Sequence, residues 1–413
     1  MMESNWQQAI DAAVELFVPR AVEVRRHLHS FPELSGQELQ TSLYLYQLLA
    51  DQGFHVQIGP EGCGVIADLP ATAAQGCIAL RADIDALRIQ DRKQVSYCSR
   101  HEGVMHACGH DAHSAIVLCA LFALHKLQVT STVPWPISVR GIFQPAEETC
   151  TGAKDMIDAG ALDKIDAILA LHVDPTSDVG TAGLRDGVLT AYCDDMRVKI
   201  AGRGGHAARP HETSDPIAAA AQLISSMYMF VPRATDSQDA VVLTIGQLTG
   251  ANTPNAIPEL VELRGTLRSL DHEVRSKTIE HIRQLAAGIG QASRTTIELS
   301  FGVGAPSVVN DPQLTELIDW SAARVLGTEN VEKILRPSMG SEDFAFYLEH
   351  VPGSMFRLGC SSEEVGDSLL HTPTFDVDEN ALAVGAKILV QTVVSWFDPH
   401  RQSSGHTPRM TPS

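Results

Sequence analysis

The order of strand-like and helix-like runs changes at Leu189, and this break constrains the fold more than any other feature of the chain. From there the apolar spacing reads strand (195–201), helix (215–230), strand (240–248), strand (260–267), helix (271–289) and strand (295–301). A βαββαβ order closes on itself as a four-stranded sheet with both helices on one face, a ferredoxin-like unit. Residues 189–303 are therefore expected to form an inserted domain.

The flanking texture is different. A helix is expected over 6–28, where Ile10, Ala13, Val14, Phe17, Ala21, Val24 and Leu28 recur at helical spacing, and it must stop before Pro32. A second helix is expected over 38–50. Short apolar runs at 64–69, 77–82, 137–143 and 167–173 then alternate with helical segments, and beyond Gly304 come helices at 313–326 and 380–397 with a short strand at 355–358. Strands alternating with helices predict an α/β domain, a mixed, largely parallel sheet flanked by helices, assembled from 1–188 and 304–399. The Ser-, Pro- and Thr-rich tail, 400–413, is expected to be disordered. A length of 413 residues suits two cores better than one.

A net charge of −19 repels phosphate backbones and anionic lipid, which argues against nucleic-acid or membrane partners. The N-terminus lacks the basic start and apolar run of a signal peptide, and no stretch reads as a bilayer span, so the chain is expected to be cytoplasmic. Eight cysteines spread over this length suggest buried thiols, with Cys108 as the exception.

Metal-ligand residue types gather at the ends of the expected strands, where an open α/β sheet places its site. One strand ends in Arg81-Ala82-Asp83-Ile84-Asp85, and the string from His106 through Cys108-Gly109-His110-Asp111 to His113 leads into an apolar helix. Another strand runs into Glu147-Glu148, a fourth is expected to end at His172, and His371 lies in a loop near Pro373. Each alone reads more simply as a surface or core residue. Their recurrence at strand ends is what counts, because such ends converge along one edge. Amide hydrolysis near neutral pH needs an activated water, which a metal supplies by lowering its pKa to about 7, and a carboxylate to take the proton. Adjacent glutamates divide that labour, with Glu148 as ligand and Glu147 as general base. Asp85 suits the role of orienting a ligand from behind.

At these residues the sequence resembles the amidohydrolase branch of the aminoacylase and carboxypeptidase G superfamily, which includes hippurate hydrolases, N-acetyldiaminopimelate deacetylases and auxin-conjugate hydrolases. The likeness runs from Arg25-Arg26-His27-Leu28-His29 and Pro32-Glu33 to Gly340-Ser341-Glu342-Asp343-Phe344 and His371. It implies that Cys108, His110, Glu148, His172 and His371 bind two divalent metal ions, and that the inserted domain is a lid and dimerisation surface, making the protein a homodimer. It also implies that His206, in Gly204-Gly205-His206-Ala207-Ala208, polarises the scissile carbonyl in its own or a partner's site, and that Arg268, Asn252 and Asn255 contact the substrate. Thr149 and Cys150 stand where relatives carry glycines, and Arg88 where they often carry proline.

The expected activity is therefore metal-dependent hydrolysis of N-acyl amino acids or similar small amide conjugates. A dipeptidase or aminopeptidase with the same two-metal core is the alternative reading, and an inactive binding protein is a more distant one. Thiolate and imidazole ligands suit zinc, while carboxylate and imidazole also admit manganese, cobalt or nickel.

Overall fold

The computed structural model describes residues 5–69, 74, 76–250, 253–302 and 304–402. These fall into two compact units, the first within Met1–Gly187, Val309–Leu335 and Asp343–Ser413, the second within Val188–Val308 and Arg336–Glu342. The sequence carries no sign that 336–342 belongs with the second unit. This irregular stretch has no apolar period, and it is held there by backbone pairing, with Ala191 N donating to Gly340 O and Ser338 N to Leu189 O.

In the first unit eight strands of the described residues form one sheet, ordered His55–Ile58, Val65–Leu69, Val139–Gln144, Ile78–Asp83, Ala167–Asp178, Gly353–Ser361, Ala182–Leu184 and Val331–Lys333. The middle four run parallel. The outer pairings are antiparallel except the last, Val331–Lys333 against Ala182–Leu184. The strand expected to end at His172 continues to Asp178, because Gly353–Ser361 stays paired to it as far as Ser361 opposite Asp178. Helices Asn5–Ser30, His110–Val129 and Asn380–Trp396 pack together and share one core with the sheet.

Helix His110–Val129 corrects one sequence expectation, since it is long and apolar enough to cross a membrane by length and composition. Its residues are instead buried nearly all round. A helix that is apolar on every side needs partners on every side, and sheet and neighbouring helices supply them. Each fully buried Leu or Ile there, such as Ile116, Leu118 and Leu121, contributes about 1.5–3 kcal/mol. The tail expected from residue 400 begins inside a short helix, Pro399–Gln402, and the rest of it lies outside the described residues.

The second unit has an antiparallel four-stranded sheet ordered Val241–Thr249, Leu260–Ser269, Tyr192–Ala201 and Thr296–Gly302. Alternate residues of Tyr192–Ala201 (Met196, Val198, Ile200) enter a core with Leu223, Met227 and Ile282 from helices Pro216–Ala234 and His272–Ser293. Each helix starts at an aspartate whose carboxylate accepts from the first free amides: Asp215 from Ile217 N (2.8 Å) and Asp271 from Glu273 N (2.8 Å).

Candidate metal centre

Because the four central strands are parallel, their C-terminal ends share one edge of the first unit's sheet. Asp83 lies opposite Gln144, and Arg81 opposite Ala170, which brings His172 level with Asp83. The loops leaving this edge carry the candidate ligands.

Gly109 separates Cys108 from His110 and has φ +90°. A Cβ there would lie 2.4 Å from Val173 Cγ2, so glycine is required on both counts. The glutamate pair sits on a tight loop: Ala146 takes φ 51°, Cys150 N donates to Glu147 O at 2.7 Å, and a Cβ on Gly152 would fall 1.6 Å from Pro145 O. Cys150 has φ 55°, the left-handed conformation that glycine adopts freely and that costs other residues about 1–2 kcal/mol. The loop therefore keeps its shape without a glycine at that position. His371 also has positive φ, 61°, and its amide donates to Ala107 O at 2.7 Å, tying its loop to the residue before Cys108.

These turns bring the five residues together. Cys108 Sγ lies 3.5 Å from His172 Nε2 and 3.4 Å from His371 Nε2. Glu148 Oε1 lies 3.3 Å from His371 Nε2 and 3.9 Å from His110 Nε2, and Glu147 Oε2 is 4.0 Å from His110 Nε2. The donor atoms form overlapping groups, Cys108–His110–His172, Cys108–Glu148–His371 and His110–Glu147–Glu148, each spanning less than 4.8 Å. Two of these atoms, His110 Nε2 and Glu148 Oε1, are buried and 3.9 Å apart, and among the described residues neither has a hydrogen bond of good geometry, although the His371 ring lies 3.3 Å from Glu148 Oε1. Buried polar atoms are rarely left so, and divalent cations shared among the groups would satisfy both, so the donor set fits a pair of metals.

The electrostatics agree. Contacts with the Cys108 thiol and the Glu148 carboxylate push His371 up to about 10, a preference for positive charge that a metal would meet by replacing the proton. Burial lowers His110, but Asp83, Cys108 and Asp85 outweigh it and hold the group well above its ordinary value. His172 is moved the other way, first by burial and then by the charge of Arg357.

Asp85 touches two members of the cluster. Its Oδ1 lies 3.1 Å from His110 Nδ1, and its Oδ2 accepts from Glu148 N (3.1 Å) and Ser35 Oγ (2.7 Å). His113, beside the cluster, has both ring nitrogens engaged: Nδ1 lies 2.7 Å from Asp83 Oδ1 and Nε2 accepts from Val173 N at 3.0 Å. Sequence reasoning missed the supports below. Glu38, which reads as an ordinary residue at a helix start, is buried and accepts Ala146 N at 2.8 Å. Arg25 is buried between Asp111 and Asp376.

The remaining candidates lie in the second unit. His206 is exposed on the short strand Gly205–His206, paired with Ala256–Ile257, and its Nδ1 accepts from Ala208 N at 3.1 Å. Asn255 is adjacent, its carbonyl accepting from Ala207 N at 3.1 Å. Arg268 Nη1 donates to Met339 O at 2.7 Å. Asn252 lies outside the described residues.

His106 gives a pH prediction. It is buried, neither ring nitrogen has a partner among the described residues, and burial lowers it to about 4. The unfolded imidazole titrates near 6.5, so between these values the unfolded chain binds a proton that the folded chain does not. The contribution of His106 is therefore complete above pH 6.5 and is lost on acidification toward pH 4, a swing of about 3 kcal/mol. Urea unfolding of His106→Leu from pH 7.5 to 4.5 should show a flatter stability profile than the parent; equal slopes would rule the assignment out.

Residues 79–395 match the family described as peptidase family M20/M25/M40. A probable hydrolase of Synechocystis sp. is 40% identical over 381 residues, covering 91% of this chain and 95% of the relative. An N-acetyl-L-cysteine deacetylase of Bacillus subtilis is 37% identical over 382 residues, covering 92% and 89%. The crystal structure of a dinuclear metal binding peptidase of the M20 family from Bacillus subtilis superposes with a TM-score of 0.78 at 32% identity, covering 92% of this chain and 98% of that one.

Proposed function

The chain belongs to peptidase family M20/M25/M40, and on that premise we propose that it removes the acyl group from N-acyl amino acids or related small conjugates. It is a metal-dependent hydrolase of amide bonds. The observation that carries the metal-dependent reading is the convergence of Cys108, His110, Glu148, His172 and His371, and the likeness to an N-acetyl-L-cysteine deacetylase supports the acylated amino acid as substrate class.

We assign those five residues as the ligands of two divalent ions, zinc or manganese in the first instance, with cobalt and nickel also compatible. When bound, such ions lower the pKa of water toward neutrality and polarise the scissile carbonyl. Glu147, whose Oε2 lies 4.0 Å from His110 Nε2, is assigned as the base that takes the proton of the attacking water and returns it to the leaving nitrogen. Asp85 holds His110 by Nδ1 and the Glu148 backbone by its amide, so that both keep one orientation. His206 stabilises the charge developing on the carbonyl oxygen, in its own or a partner's site, and Arg268, Asn255 and Asn252 contact the substrate.

The second unit is proposed as lid and dimerisation surface. Helix Pro216–Ala234 exposes Tyr228, Met229 and Phe230, and the edge strand Val241–Thr249 exposes Val242 and Leu248, which supports a homodimer that sedimentation equilibrium would detect. All eight cysteines are free thiols, which supports a reducing, cytoplasmic setting.

The test is a panel of N-acetyl and N-benzoyl amino acids beside dipeptides, offered to chelated protein and to protein reloaded with zinc, manganese, cobalt or nickel. The expected result is release of the acyl group by reloaded protein only. Preference for dipeptides would establish the peptidase alternative, and metal uptake without cleavage of any substrate would leave a binding protein.

A further inference from the structure

The strand Gly353–Ser361 is buried along almost its whole length and carries one formal charge, Arg357. Arg357 pairs with His172 on one side and with Gly183 on the other. Residues in register on neighbouring strands point to the same face of a sheet, so Arg357 shares a face with His172, Asp83 and Gln144. That face also carries Arg81, two residues before Asp83. The contrast between the two arginines is informative. Arg81 is fully buried and neutralised, donating to Asp83 Oδ2 at 2.7 Å, Asp343 Oδ1 at 2.8 Å and Gln144 Oε1 at 2.8 Å. Arg357 is half-buried, and among the described residues no carboxylate, carbonyl or hydroxyl partners its guanidinium. Beside Gly183, where a Cβ would lie 3.6 Å from Arg357 Cβ, the space is taken by Ile334, which is apolar and cannot neutralise the guanidinium.

A cation partly withdrawn from water without a counter-ion is unfavourable, and an unpaired donor fork at the edge of a site is where a ligand carboxylate can complete the pairing. A guanidinium has only donors, so it cannot ligate metal, and its planar fork matches a carboxylate. Acylation removes the positive charge of an amino acid's nitrogen and leaves its α-carboxylate as the one formal charge of the backbone. We infer that Arg357 binds the free carboxylate of the substrate beside His172 and selects acylated amino acids over neutral amides, an inference that rests on the reading of this site as an N-acyl amino acid hydrolase. Arg268 is the competing candidate, but one of its nitrogens is already committed to Met339 O.

The experiment compares acetate release from N-acetyl-L-methionine and from its carboxamide by metal-loaded wild type, Arg357→Met, Arg357→Lys and Arg268→Met, with metal content and melting temperature recorded for each. In Arg357→Met, kcat/KM for the carboxylate should fall about 10- to 100-fold more than for the carboxamide, mainly through KM, the size expected for losing hydrogen bonds to a charged group. Arg357→Lys should recover part of the loss. Equal losses on both substrates, or a carboxylate-selective loss confined to Arg268→Met, would overturn the assignment. Should wild type hydrolyse neither compound, the functional reading fails separately, and calorimetric titration of N-acetyl-L-methionine then decides. Binding by wild type that is absent in Arg357→Met supports the carboxylate site; equal binding, or none by wild type, rejects it. If Arg357→Met fails to fold, the Arg357→Lys pair of substrates gives the same discrimination on a smaller scale.

Discussion

Glu147→Gln should lower kcat by about 10²- to 10⁴-fold while metal content and KM stay within a few-fold of wild type. Glutamine has the shape of glutamate and can keep the contacts that Glu147 makes, with Oε1 3.4 Å from Asp343 N and Oε2 4.0 Å from His110 Nε2. It cannot accept a proton. The variant therefore separates proton transfer from site assembly, which a larger change would confound. Glu148→Gln is the matching control: its carboxylate lies within 3.3 Å of His371 Nε2, so its principal effect should be weaker metal retention. Metal analysis beside steady-state kinetics distinguishes the two, and near-normal turnover by Glu147→Gln would remove that residue from the mechanism.

Arg25→Met should cost about 3–5 kcal/mol of stability, because it strips the counter-charge from carboxylates that stay buried. Arg25 is fully buried; its Nε lies 3.0 Å from Asp111 Oδ2, its Nη2 pairs with Asp376, and its guanidinium lies 4.6 Å from the Tyr97 ring centroid. Asp111 follows His110 directly, and Asp376 lies on the segment that leads out of His371. One side chain thus fastens the segments of His110 and His371, two of the proposed ligands. Burial alone would raise both carboxyls, but Arg25 together with His29 at Asp111 and Lys93 at Asp376 outweighs it and holds them below the usual carboxylate range. Groups depressed in this way contribute stability above the unfolded value near 3.9 and lose it as pH falls through the folded value. The difference between Arg25→Met and wild type should therefore be largest near neutrality and should narrow below about pH 4. Urea unfolding at pH 7 and pH 3.5 measures it; a gap independent of pH would mean that Arg25 acts through packing alone.

The long elements were legible because their periods are long. Residues 6–28 and 110–129 carry enough apolar positions to fix a helix, and the alternation Met196, Val198, Ile200 fixes a one-sided strand. Ala182–Leu184 and Val331–Lys333 are three residues each, too short to carry a period, and exist only because a neighbouring strand offers free backbone groups. The residue types of the candidate site were visible as strand-end clusters, since few side chains can bind a metal. Their supports were not. Arg25 and Glu38 sit within or beside amphipathic helices, where a charge reads as solvated, and only packing against distant segments buries them. Arg357 did leave a signal, a lone cation in the apolar run from Met355 to Leu358, but no property of a single strand reveals which neighbour it will face.

The Gly353–Ser361 strand fills a slot between Ala167–Asp178 and Ala182–Leu184, two strands adjacent in the chain. On the ribosome those two emerge long before the strand that joins them, and among the described residues Ala182–Leu184 pairs only with strands made later, so until then the nascent sheet ends in an open edge at the strand of His172. Four of the five donors are likewise made early and the fifth, His371, late. No fragment truncated ahead of that residue holds the whole cluster, so the proposed metal centre can be completed only once nearly the full chain has been made.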